Sequence, residues 1–150
     1  MKAVFCVGIR KAEISDWKEI VELLKQLDYS NTDSFLKNKI MMLLNHPDEK
    51  LLVYEDDKKV VAIISIHFIP QLAVVGDFAR ISYFSVDKEA RSKGIGRELE
   101  EYCVALAKAK KCDRIEVHCH SRRVDAHRFY DRQGFVEAPK YFIKKLIYNF

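Results

Sequence analysis

The chain has no C-x-x-C pair, no apolar run long enough to cross a bilayer, no low-complexity tract and no marked excess of either charge. Each absence excludes something. The four cysteines, Cys6, Cys103, Cys112 and Cys119, sit singly in or beside apolar segments, as small hydrophobes do. No disulfide framework is expected, and a reducing cytoplasmic setting is the default. Without about 18 consecutive apolar residues, no membrane span is expected. The opening apolar run, Ala3 to Ile9, is short, meets Arg10 and Lys11 at once and lacks a small-residue cleavage pattern. It reads as a strand rather than an export signal. Lys and Arg number 26 against 22 Asp and Glu, a net charge of +4. That suits an anionic ligand, but the charges follow no stripe with interleaved exposed aromatics, which argues against nucleic acid. No repeat or linker divides the 150 residues, so one domain over 1–150 is expected, with apolar residues at 49% and charged residues at 32% giving globular composition.

What is present reads as alternating helix and strand. Trp17, Ile20, Val21, Leu24 and Leu27 recur at helical spacing behind Ser15, whose hydroxyl can cap the first turn, so a helix is expected over 16–28. Phe35, Leu36, Ile40, Leu43 and Leu44 make a second, ended near 45 by Pro47. Leu51–Tyr54 and Val60–Phe68 are β-branched and aromatic runs around a polar turn, which is a hairpin, and Phe78–Val86 is a third strand of the meander. Ile95, Leu99, Tyr102, Cys103 and Leu106 mark an amphipathic helix over 95–110. Ile115, Val117 and Cys119 alternate with Glu116, His118 and His120 as a strand with one buried face. Ala126, Phe129 and Tyr130 indicate a short helix that Gly134 ends, and Phe135-Val136 and Tyr141–Ile147 close the chain as strand. The class is α/β or α+β with a mixed, mostly antiparallel central sheet of six to seven strands and about four flanking helices.

The most informative segment is the strand-to-helix connection Val86-Asp87-Lys88-Glu89-Ala90-Arg91-Ser92-Lys93-Gly94-Ile95-Gly96-Arg97. Two glycines let backbone amides crowd one point, and the new helix aims its free N–H groups and positive dipole end there. Arg91, Lys93 and Arg97 add charge, so a phosphate or pyrophosphate is the expected guest. The other reading is a tight turn with solvated lysines. A P-loop is excluded because Gly96-Arg97-Glu98 lacks the Lys-Ser/Thr pair, and a dinucleotide fingerprint fails at Leu99, where a small residue belongs.

Arg91-Ser92-Lys93-Gly94-Ile95-Gly96 resembles the R/Q-x-x-G-x-G/A loop of the GNAT family of N-acetyltransferases. A second, independent segment, Asp125-Ala126-His127-Arg128-Phe129-Tyr130-Asp131-Arg132-Gln133-Gly134-Phe135, is similar to that family's later A-x-x-x-Y-x-x-x-G-F stretch. The resemblance implies acetyl-CoA as cosubstrate and no metal. Its pyrophosphate would lie on the amides of Arg91, Ser92, Lys93, Gly94, Ile95, Gly96 and Arg97. Its pantetheine arm would run along Phe84, Ser85 and Val86 like an added strand, one main-chain amide facing the thioester oxygen. The resemblance also implies that Tyr130 is the general acid beside the departing sulfur. An ordinary phenol, with a pKa near ~10, would mainly hydrogen-bond to a thiolate of pKa ~8.5. Simple core filling by Tyr130 is the alternative.

The match departs from the family at two places. Where some members carry a basic glutamate on the strand before the loop, Arg80 stands here, and a guanidinium cannot take a proton. Asp77, His67, His118 and His120 are the candidate bases. His120 ranks first because it lies nearest the exposed end of its strand, with a plain solvent-facing histidine as the other reading. His118-Cys119-His120 is a poor zinc site, since neighbours on a strand point to opposite faces. Arg123 replaces a frequent asparagine. Its surroundings, Arg122 to Tyr130, are similar to a branch that acetylates small amines, including aminoalkylphosphonates and aminoglycosides. An acceptor carrying phosphonate or carboxylate could pair with Arg80 or Arg123, although Arg123 facing coenzyme phosphate or solvent is an equal alternative.

The expectation is therefore an N-acetyltransferase of a small primary amine, working by direct attack in a ternary complex, since no cysteine has an activating base at readable spacing. A protein lysine or N-terminal acetyltransferase and a non-catalytic acyl-CoA sensor are the alternatives. Neither a nucleic-acid nor a membrane partner is expected. Members of the family are frequently dimers, and Leu146-Ile147-Tyr148 is a candidate for such an interface.

Overall fold

The computed structural model describes residues 8–138 and 141–149, and it divides into two units, Met1–His118 and Cys119–Phe150. The expected N-terminal strand falls mostly on Ala3–Val7, with Cys6, outside the described residues; its end is β1, Gly8–Lys11. A 3-10 turn, Ile14–Asp16, leads into α1, Trp17–Lys25, and α2 follows over Leu36–Leu44. Ser15 does not cap α1. Its hydroxyl donates to Glu13, and the Asp16 carboxylate instead accepts the Glu13 N–H at 2.8 Å and both guanidinium arms of Arg10 at 2.9 Å.

The meander then runs through β2 (Glu49–Asp56), β3 (Lys59–Ile69) and β4 (Phe78–Val86). Helix α3 (Ile95–Ala109) crosses over to β5 (Arg114–Val117). Strand order is β1-β2-β3-β4-β5, antiparallel except for the parallel β4–β5 pair that the crossover requires. Side-chain alternation along β3, shifted by one where Val61 is the extra residue of a bulge, separates two cores. Ile64, Ile66 and Phe68 face Leu99 and Cys103 of α3, while Val60 and Ile63 face Ile20, Leu23 and Leu24 of α1 and Ile40 of α2. Each large side chain so buried contributes about 1.5–3 kcal/mol.

Two irregularities set what shares a face. Counted from the hairpin end at Asp56–Lys59, an unbroken ladder would set Glu49 opposite Ile66; the shift after Tyr54 sets it opposite His67. A second shift, with Ser82 extra on β4, sets His67 opposite Arg80 rather than Ile81. Because one residue of slip exchanges the faces of a strand, these bulges decide which polar groups meet.

The second unit holds α4, Val124–Arg132. The four helices match the expectation, but the described residues form five strands rather than six or seven. Phe135-Val136 and Tyr141–Ile147 lie in no strand, and β5 stops at Val117, short of His118 and His120. Aromatic and β-branched composition supplies only a tendency toward extended chain, which becomes a strand through a ladder; Phe142 and Ile147 instead stand almost wholly exposed.

Candidate active site

In the first unit, the end of β4 and the start of α3 meet at the glycine loop, where a cradle for an anion is expected. Asp87 caps a 3-10 turn, Lys88–Ala90, by accepting the Glu89 N–H at 2.9 Å, and Ala90 and Ile95 are buried as anchors on either side of the loop. Between them Arg91, Ser92, Lys93 and Gly94 are exposed. Ser92 and Gly94 both adopt left-handed backbone, φ +67° and +80°. Gly94 is the N-cap residue of α3 and, lacking a side chain, offers no cap bond. The first N–H groups of α3, from Ile95, Gly96 and Arg97, therefore have no side-chain cap from it, and the helix dipole adds partial positive charge where they emerge. Arg91 Nε donates to the Val86 carbonyl at 3.2 Å and ties the loop to the strand end. Arg97 contributes less than its charge suggested, since its Nε donates to Glu101 one turn along the helix at 2.8 Å.

The sheet opens beside this cradle. Strand β5 accompanies β4 only over Phe78–Ile81, paired with Arg114–Val117, and Ser82–Val86 run on past the end of that ladder. Phe84, Ser85 and Val86 lie on this continuation. The Ser85 hydroxyl donates to the Leu23 carbonyl of α1 at 2.9 Å, which leaves only its main chain for a ligand.

Arg80 is not solitary. Its Nε donates to Glu116 Oε1 at 2.7 Å and a second guanidinium nitrogen donates to the same oxygen. On the same face the buried Glu49 carboxylate accepts Ser65 Oγ on one oxygen and meets His67 Nδ1 on the other, each at 2.5 Å. The register makes Glu49, His67, Arg80 and Glu116 one row across β2, β3, β4 and β5. Glu49 was not singled out from sequence, and Glu116 was read there only as a polar residue of an alternating strand, not as a partner of Arg80. Counting across the hairpin could have suggested Glu49, but only with knowledge of the bulge.

In the second unit, Tyr130 packs its ring edge-on against Phe129 and Phe135, centroids at 5.4 Å. Burial first, then the nearby Cys119, push its phenol well above the ordinary range, and the Arg123 guanidinium pulls the other way. The Cys119 thiol is likewise raised by burial and lowered by Arg123. His120, expected on a strand, lies in the turn before α4. Its Nδ1 accepts the Arg122 N–H at 3.2 Å and its carbonyl accepts from Arg123 N–H and His127 Nε2. With Nδ1 accepting the Arg122 N–H, the neutral ring carries its proton on Nε2, which is then the donor nitrogen.

Residues 14–135 match the model of the acetyltransferase (GNAT) family. Among solved structures, a transcriptional regulator from Bacillus halodurans C-125 is similar at 22% identity and TM-score 0.85, over 93% of this chain and 99% of that one. Glucosamine-6-phosphate N-acetyltransferase from Arabidopsis thaliana is similar at 25% identity and TM-score 0.80, over 93% and 97%. A GNAT family acetyltransferase from Staphylococcus aureus is similar at 23% identity and TM-score 0.77, over 93% and 100%. No match to a curated protein sequence reached significance. With the cradle, the parted strands and a family match over most of its length, the chain belongs to the GNAT family and is an N-acetyltransferase.

Proposed function

We propose that the protein transfers an acetyl group from acetyl-CoA to the primary amine of a small molecule bearing an anionic group, by direct attack in a ternary complex. The observation that carries this reading is the cradle. An exposed loop with two left-handed residues leads into a 15-residue helix whose N-cap residue supplies no side-chain bond, at the point where β4 outruns β5. These residues fit a diphosphate. Ser92, Lys93, Gly94, Ile95, Gly96 and Arg97 would hold it through main-chain amides, with Arg91 and Lys93 adding charge. The main chain of Phe84, Ser85 and Val86 would guide the pantetheine arm along the margin of β4. When bound, the thioester supplies an acyl carbon activated toward amines.

Tyr130 is assigned to the leaving sulfur by its place in the second motif. Its raised pKa keeps the phenol protonated, so it acts by donating a hydrogen bond rather than by surrendering its proton. The cysteines support direct attack over an acyl-enzyme. Burial pushes the Cys103 thiol up to about 12 and raises Cys112 and Cys119, so none of these three described cysteines is a ready thiolate. For the acceptor's anionic group, Arg123 is favoured, because Arg80 already spends two donors on Glu116. The Arabidopsis protein's amino-sugar phosphate is an acceptor of this kind. Coenzyme A release measured across aminoalkylphosphonates, amino-sugar phosphates, aminoglycosides and lysine peptides tests the reading. Release that depends on a small anionic amine supports it; release with peptides alone, or with no amine, refutes it.

A further inference from the structure

We propose that His67, held by Glu49, is the general base that deprotonates the acceptor amine; this rests on the acetyl-transfer reading above. An ammonium has no lone pair, so a group able to take a proton must stand near the attacking nitrogen. Arg80, at the strand position that sequence matching gives to a base, is a guanidinium and is bound to Glu116. The row it belongs to offers an alternative one strand away, where His67 lies directly opposite Arg80.

Glu49 is built to orient that imidazole. Its carboxylate is 5% exposed and has both oxygens engaged, by Ser65 Oγ and by His67 Nδ1. A carboxylate only accepts hydrogen bonds, so Nδ1 carries the proton and the lone pair lies on Nε2. The His67 side chain is 35% exposed, which leaves the ring open to an approaching substrate. His120 has the reverse arrangement. The groups facing His67 are Glu49 from β2, the His46 ring at 5.3 Å from the turn before β2, and Arg80 from β4 with Glu116 of β5 behind it. Glu116 pairs with Arg80, so the cation opposite His67 is not a lone one. Tyr83, on the same face of β4, meets Tyr29 edge-on at 5.3 Å and gives this end of the sheet an aromatic wall.

In the step, Nε2 takes one proton from the acceptor ammonium, and the freed lone pair forms the nitrogen–carbon bond to the thioester carbonyl. The carbon–sulfur bond breaks with its electrons on sulfur, and the second surplus N–H proton neutralises the thiolate. His67 returns its proton to solvent. Ammonium and thioester thus give amide, thiol and one proton.

The test combines nitrogen-15 histidine NMR of the free protein with pH profiles of kcat/KM, using the best acceptor from the amine panel. In wild type, His67 should show protonated Nδ1 and bare Nε2. His67→Gln should lower kcat/KM at neutral pH by roughly 100-fold or more, abolish the acid limb of the profile and leave acetyl-CoA affinity unchanged. Glu49→Gln should disturb the tautomer and lower kcat by roughly tenfold or more with KM little changed. If wild type acetylates no amine, the acetyl-transfer reading falls and the base with it. If wild type is active and His67→Gln keeps its rate and acid limb, or His67 carries its proton on Nε2, the base alone is overturned. A loss accompanied by weakened acetyl-CoA binding marks a structural residue and overturns it equally.

Discussion

Tyr130 shows how much of a residue's chemistry is set by what surrounds it. The sequence left two readings for this tyrosine, a proton donor and a core filler, and the structure shows that it packs between Phe129 and Phe135 while burial raises its phenol. Packing and donation are compatible, because a half-buried phenol that stays protonated is a fixed hydrogen-bond donor. Tyr130→Phe keeps the ring contacts and removes only the donor. It should lower turnover by roughly 10- to 100-fold with acetyl-CoA affinity unchanged, measured by steady-state kinetics beside calorimetry; equal turnover would reduce Tyr130 to packing. His67 and His120 make the complementary point. Both are imidazoles near polar backbone, and what separates base from donor is which ring nitrogen a neighbour already occupies.

Elements were legible where the signal is local. Helix α4 ends as Gly134 suggested. The glycine takes φ +88°, its N–H donates to the Asp131 carbonyl at 3.1 Å, and the Phe135 N–H donates to the Tyr130 carbonyl at 3.0 Å. This is a Schellman motif, with Phe135 packed back on Tyr130 as the accompanying apolar contact. It gives the Tyr-x-x-x-Gly-Phe spacing a structural reason. Gly134→Ala should cost about 1 kcal/mol in denaturant unfolding, because alanine must adopt a left-handed conformation that glycine adopts freely. The helical stripes of α1, α2 and α3 and the β2–β3 hairpin were legible for the same local reason. What was not legible depends on partners distant in sequence. Glu49 opposite His67 and His67 opposite Arg80 require two bulges that leave no mark in residue type, and Tyr141–Ile147 has strand composition without a ladder. The loop at Gly94 was legible as a turn that gathers amides, whereas the engagement of Arg97 by Glu101 and of Arg80 by Glu116 was not.

Across the whole molecule, the buried ionisable groups set a pH window for stability. Burial holds the Cys103 thiol up at about 12 against an ordinary 9.0, and desolvation, only partial at Tyr83 and Tyr130, is the first cause that raises the Tyr54, Tyr83 and Tyr130 phenols. A raised acid binds its proton more tightly folded than unfolded, so its contribution is complete below the unfolded pKa and is lost as pH rises. At the other end, burial raises the Asp16 carboxyl but Arg10 and the Glu13 N–H more than reverse it. Its contribution is present above the ordinary carboxylate range and lost as pH falls below it. Thermal melting should therefore weaken from about pH 9 upward, and Cys103→Ala, though less stable at neutral pH, should show a shallower alkaline decline; an equal slope would remove Cys103 from the account. The claim on which the function rests is the diphosphate at the start of α3. Gly96 has ordinary helical backbone, so Gly96→Glu improves helix propensity and puts a carboxylate at the favourable end of the dipole, while repelling an anionic ligand from the same amides. Isothermal titration of coenzyme A into wild type and Gly96→Glu measures this directly. Affinity lower by roughly 100-fold or more in the variant, with thermal stability kept or raised, is the result predicted, and equal affinity in the two proteins would contradict it.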